Sequence, residues 1–122
     1  KKIEEVNNNN EQAKNEINKT FDEYLIALND KDIYNIMNYL DPNRKDYKIK
    51  QQLFKNIFNE FDIKYISDKR VIDIIDDKTA VLNTTITITN DPRGASKKSV
   101  IDDIVFRKVK GEWKIHSEKF LK

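Results

Sequence analysis

Few residues in this chain could do chemistry, and they are scattered. Two acids, Asp102 and Asp103, stand side by side in the stretch from Ser99 to Val109. There Val100, Asp102, Ile104 and Phe106 form one alternating set, and Ile101, Asp103 and Val105 form the other. Successive side chains of a strand point to opposite faces, so the two acids cannot share one site. Asp102 is the one whose alternation partners are all apolar, and such surroundings disfavour its charged form and raise its pKa. A slip of one residue would exchange the two acids. The other reading open to Asp102 is a solvated strand carboxylate paired with Lys or Arg.

His116 is the only histidine, and period-two counting puts it opposite Trp113 and Ile115, which is the outer face if the tryptophan faces inward. One His cannot supply a metal site, and on an outer face it is a poor partner for a Ser-His-Asp or His-Asp arrangement. Cysteine is absent, which removes disulfides and thiolate chemistry together. The chain has two glycines and neither a G-x-x-x-x-G-K-[ST] nor an H-E-x-x-H run. No catalytic residue, metal site or cofactor is therefore assigned. With 23 basic and 21 acidic residues, and only Arg93, Lys97 and Lys98 clustered in a solvated loop, nucleic acid is not an expected partner.

The elements that must position these residues are legible from periodicity. A chain of 122 residues suits one domain, and the apolar residues, 38% of the total, include six Phe, five Tyr and one Trp in clusters. Residues 1–10 contain the run Asn7 to Asn10, read as a polar linker or stalk; residues 11–122 then form a single α+β domain. Ala13, Ile17, Phe21, Tyr24, Leu25 and Leu28 recur at helical spacing from Glu11 onward. Asp30 or Asp32 can cap a second helix carrying Ile33, Ile36, Met37 and Leu40, which Asp41-Pro42 ends. A third helix is expected over roughly Asp46 to Glu60.

After Phe61 the period changes to two. Strands are expected over Phe61 to Ser67, Arg70 to Ile75, Thr79 to Asn90, Ser99 to Val109 and Glu112 to Phe120. A hairpin loop over Asn90 to Lys98 and a tight Lys110-Gly111 turn separate the later ones. The expected core is Phe21, Leu25, Ile36, Leu53, Phe54, Ile57, Leu82, Ile86, Ile104, Phe106, Trp113 and Ile115.

Helices followed by strands that end in Val109-Lys110-Gly111-Glu112-Trp113-Lys114-Ile115, where a Gly turn precedes Trp-x-Ile, resemble the nuclear transport factor two-like superfamily. This is the cystatin-like, cone-shaped α+β group that includes ketosteroid isomerase, scytalone dehydratase and polyketide cyclases. The resemblance covers Glu11 to Lys122. It implies helices packed on a curved antiparallel sheet of four to six strands, the tryptophan in the core, and an internal pocket. In such a pocket Asp102 would be the acid, and Tyr24, Tyr39 and Tyr65 would present hydroxyls, as tyrosines do in the isomerases. These four are the expected ligand-binding residues. The isomerases' set of paired acids and tyrosine does not carry over residue by residue.

The expected function is a non-catalytic binding or assembly module that takes a protein partner or a small hydrophobic ligand. The alternative is an isomerase-, dehydratase- or cyclase-type enzyme with Asp102 as acid or base. A third possibility is a homodimer formed through the sheet. The chain opens on Lys1 and Lys2 instead of Met, contains no stretch long enough to cross a membrane, and is rich in Lys, Asn and Ile like products of AT-rich bacterial genomes. Superfamily members there are often lipoprotein or conjugative-secretion domains. The expectation is an extracytoplasmic domain tethered to the membrane only through a segment outside this chain, with a cytoplasmic location as the alternative.

Overall fold

The structure is a computed structural model of the chain. It describes residues 2–60, 62–89 and 97–121, with side chains for all of these except 2–9, 97–102, 120 and 121. Three helices come first: α1 (Lys2–Asp30), α2 (Ile33–Asn38) and α3 (Tyr47–Glu60). The strands β1 (Lys64–Ile74), β2 (Thr79–Thr89), β3 (Lys97–Val109), β4 (Glu112–Ser117) and β5 (Phe120–Leu121) follow.

Helix α1 forms because Ile17, Phe21, Leu25 and Leu28 recur on one stripe, and all four are buried. Its helical backbone begins at Lys2, so the run Asn7 to Asn10 lies within the helix. The C-terminus closes by a Schellman arrangement. The Asp32 N–H donates to the Ala27 carbonyl at 3.0 Å and the Lys31 N–H to Leu28 at 3.1 Å. Lys31 holds the left-handed conformation, φ 58°, that glycine usually fills there. The carboxylate of Asp32 then caps α2 by accepting from the Asn35 N–H.

The described strands form one antiparallel sheet in the order β1-β2-β3-β4, with β5 also against β3. β1 is one strand where the sequence suggested two. The break near Asp68 is a register shift before Val71, accompanied by Lys69 at φ 54°, that bends the strand without ending it. Phe61, the expected start of the sheet, lies outside the described residues. β2 alternates as expected: Ala80, Leu82, Thr84 and Ile86 are buried and their neighbours half-exposed. The buried Thr84 hydroxyl is satisfied by the Asp68 carbonyl and the Ser67 hydroxyl, both at 2.6 Å. Of the expected loop Asn90 to Lys98, residues 90–96 lie outside the described residues. The turn between β3 and β4 has Lys110 at φ 53° and Gly111 at φ 83°, the pair of left-handed residues that a two-residue type I′ hairpin requires.

The core lies between α1, α2 and the sheet. Phe106, Ile104, Leu82, Ile115, Ile36 and Leu40 are fully enclosed, and Phe21 meets Phe106 edge-on at 6.4 Å. Trp113 is buried, with its Nε1–H donating to Glu16 at 3.2 Å and Lys108 over its ring. Two expected core positions differ. Leu53 is 44% exposed and Ile57 is half-buried. Of the α3 residues only Phe54 is fully buried, because part of the face that carries Leu53 looks onto an open cavity instead of packed side chains. The segment after α2 is tied to β4 by the Ile115 N–H to Tyr39 and the Asp41 N–H to Ile115, at 2.8 and 2.9 Å.

Candidate binding pocket

The helices and the inner face of the sheet enclose a cavity of about 240 Å³. Its body is apolar. Leu25 and Leu28 of α1, Phe54 of α3, and Ile86, Ile104 and Ile115 of the sheet supply most of the wall, and Leu53 sits at the lip. Four polar side chains also reach it: Tyr24, Tyr65, Lys50 and Glu118.

Each of these is held by a distinct device. Tyr24 follows Phe21 on the buried stripe of α1, and the two rings lie 6.0 Å apart. Tyr65 is pinned through its backbone. The Asn29 side chain accepts from the Tyr65 N–H at 2.7 Å and donates to its carbonyl at 3.0 Å, closing the end of α1 onto β1. Lys50 projects from α3. Glu118 follows β4, and its carboxylate takes two parallel hydrogen bonds from Arg44, at 2.7 and 3.1 Å, with the Lys50 Nζ at 3.4 Å. Arg44 is itself buried and also donates to Asp46 through Nε and NH2.

The electrostatics follow from that packing. Burial pushes the Tyr24 phenol far above its ordinary range, the Glu118 charge adds to the effect, and Arg44 partly offsets it. Burial raises Tyr65 as well. Both hydroxyls therefore stay protonated and can donate. Burial acts to lower the Arg44 pKa, but its hydrogen bonds to Glu118 and Asp46 outweigh that and raise it, so the guanidinium stays charged. The acid in this cavity is thus spent on an arginine and a lysine and is not a ready base.

Of the four residues expected from sequence, Tyr24 and Tyr65 are brought together here. Tyr39 is elsewhere, in a shallow groove with Glu16, Glu23 and Trp113. Its phenol is raised there by burial first and by Glu23 and Glu112 next. The Asp102 side chain lies outside the described residues. Its backbone does bear on the expectation: Leu82 pairs with Ile104 but Thr84 with Ile101, so Asp102 and Asp103 together stand opposite Asn83. The two-residue alternation from Phe106 back to Val100 is interrupted at this bulge, and period counting assigns Asp102 no face.

His116 corrects the sequence reading in one respect. It does point away from Trp113 and Ile115, but its Nδ1 is 2.9 Å from the Oδ2 of Asp41, a carboxylate that is 3% exposed. A His–Asp pair exists, on the rim of an open cleft with Asn43, Lys45 and Ser117. Burial acts to raise the Asp41 pKa, but the Asn43 N–H and the histidine outweigh it and leave the carboxyl below its usual value. Among the described residues no serine or threonine hydroxyl is hydrogen-bonded to His116. Sequence reasoning missed Glu118 and this pair for one reason. Their partners are 74 and 75 residues away, and no local pattern marks either contact.

Comparison with solved structures shows the same fold across proteins of different roles. A putative scytalone dehydratase from Novosphingobium aromaticivorans is 12% identical with a TM-score of 0.77, over 93% of this chain and 86% of that one. A protein with a cystatin-like fold from Nostoc punctiforme is 16% identical with a TM-score of 0.73, over 88% of each chain. A putative calcium/calmodulin-dependent protein kinase II association domain from Xanthomonas campestris is 21% identical with a TM-score of 0.67, over 86% and 84%. At these identities the likeness establishes the nuclear transport factor two-like fold and nothing about activity. No curated protein sequence matches the chain. Among the described residues no helix is long and apolar enough to cross a membrane. One family model matches residues 19–122, and by that match the chain belongs to the family described as anti-sigma-I factor RsgI9, C-terminal domain.

Proposed function

We propose that this domain is a non-catalytic sensory module that binds a small, largely apolar ligand in the cavity between α1, α3 and the sheet. The observation that carries this reading is the state of the cavity's acid. Glu118 is doubly hydrogen-bonded to Arg44 and paired with Lys50, so the apolar chamber offers a ligand hydrogen-bond donors without a free base to remove its protons. Membership in an anti-sigma factor family supports the reading, since a protein that restrains a sigma factor needs an input, and ligand occupancy of an appended domain supplies one. The domain works outside the cytoplasm, tethered to the membrane through a segment outside this chain.

The test is a titration of protein labelled at isoleucine methyls with indole as a single-ring apolar probe. Saturable shifts at Ile86, Ile104 and Ile115 are expected, with indole recovered unchanged. A parallel incubation with a hydrophobic enone distinguishes the enzyme reading. Isomerised or dehydrated product that disappears in Asp102→Asn would overturn the proposal.

A further inference from the structure

Two of the cavity's polar side chains are unengaged. Among the described residues neither the Tyr24 nor the Tyr65 hydroxyl has a hydrogen-bond partner, and no side-chain polar atom is both sealed in the packing and unpartnered. Both hydroxyls therefore open onto accessible space, and both side chains line the chamber. Burial above all keeps them protonated, and Glu118 and Tyr65 each lie close enough to act on the Tyr24 phenol. The chamber is thus served by two free O–H donors.

The charged side chains, by contrast, are engaged with one another. Lys50 and Glu118 line the cavity 3.4 Å apart, and Arg44 is shared between Glu118 and Asp46. These four charges sum to zero. A second carboxylate beside Tyr24 would meet the charge of Glu118, and an ammonium would find both oxygens of that acid already hydrogen-bonded. Either ion would lose its water in apolar surroundings without a partner of its own, which is costly. A carbonyl oxygen carries no net charge and has two lone pairs, the complement of two O–H donors. Size sets the rest: about 240 Å³ is smaller than the roughly 300–1,000 Å³ of pockets that enclose drug-sized ligands, and a single ring with a short substituent fits it.

We propose that the cavity takes a small uncharged carbonyl compound, its apolar body against Leu28, Phe54, Ile86 and Ile104 and its oxygen received by the Tyr24 and Tyr65 hydroxyls. This deepens the pocket reading above and rests on it. The Lys50–Glu118 pair sets the selectivity: its charges satisfy each other, so it offers an ionic ligand nothing and leaves the phenols as the free polar contacts.

The experiment titrates acetophenone, ethylbenzene, benzoate and benzylamine into the intact domain at neutral pH, following the same isoleucine methyls. It is repeated with Tyr24→Phe and Tyr65→Phe after thermal melts confirm folding, and if one variant does not fold the other carries the comparison. Acetophenone should bind about ten-fold or more tightly than either ion, because an unpaired charge is costly to bury. Each phenol removed should weaken acetophenone by about two- to ten-fold, the size of one hydrogen bond, and leave ethylbenzene unchanged. Benzoate or benzylamine binding as tightly as acetophenone overturns the carbonyl inference and leaves the pocket reading standing. So does a ketone affinity that loss of the phenols leaves in step with that of ethylbenzene. If none of the four shifts the methyls, both fail.

Discussion

Arg44 and Glu118, 74 residues apart, meet through two parallel hydrogen bonds that lock the loop before α3 to the end of β4. The Arg44 side chain is 5% exposed and that of Glu118 12%, so neither charge has much water to fall back on. Arg44→Leu should cost about 3–5 kcal/mol, because it leaves a buried carboxylate without its main partner. Glu118→Gln should be costly for the mirror reason. Urea denaturation of both single variants and the double variant checks this: the double should lose clearly less than the two singles combined. Strict additivity would show that the two residues act independently.

Trp113 anchors β4 on α1 through its ring and through Nε1–H to Glu16. Trp113→Ala should destabilise the domain by about 3–5 kcal/mol, and Trp113→Phe, which keeps most of the volume and loses the hydrogen bond, should cost less. Thermal melts of the two variants give the comparison. An alanine variant that melts like the parent would mean the indole contributes nothing to the core.

Lys110 occupies the first left-handed position of the type I′ turn, a conformation that costs most L-residues about 1–2 kcal/mol. Lys110→Asn creates the Asn-Gly pair that this turn favours and should stabilise the domain by a few tenths to about 1 kcal/mol. A fall in the denaturation midpoint would show that Lys110 makes a compensating interaction.

Asp41 and Asp46 both have folded-state pKa values below the ordinary aspartate value of 3.8. For Asp41 burial opposes the shift, and the Asn43 N–H and His116 outweigh it. For Asp46 the Arg44 hydrogen bond is the leading cause. A depressed carboxyl pKa contributes stability that is present above the unfolded value and is lost as pH falls through the folded one. Stability should therefore drop progressively below about pH 4, and Asp41→Asn should make that drop shallower. A pH series of urea midpoints down to pH 2.5 measures it. Parallel curves for parent and variant would exclude Asp41 as a contributor.

The sequence determined what depends on neighbours along the chain. The stripe of Ile17, Phe21, Leu25 and Leu28 made α1, the alternation from Ala80 to Ile86 made β2, one of Asp30 and Asp32 was marked to cap α2, and Lys110-Gly111 made the last turn. Each rests on spacing or on a single residue's backbone preference. The superfamily was legible for the same reason, since helices followed by a Gly-turn hairpin with an inward Trp are local signals. Tertiary structure alone decided which of these residues meet. It brought Tyr24 and Tyr65 to one cavity, left Leu53 at an opening, set Tyr39 apart, and brought Glu118 to Arg44 and His116 to Asp41. Periodicity fixes the face of a side chain only while the register is unbroken, and it says nothing of what that face will find. The bulge opposite Asn83 therefore ended the argument for Asp102, and ion pairs spanning most of the chain built the cavity's polar wall.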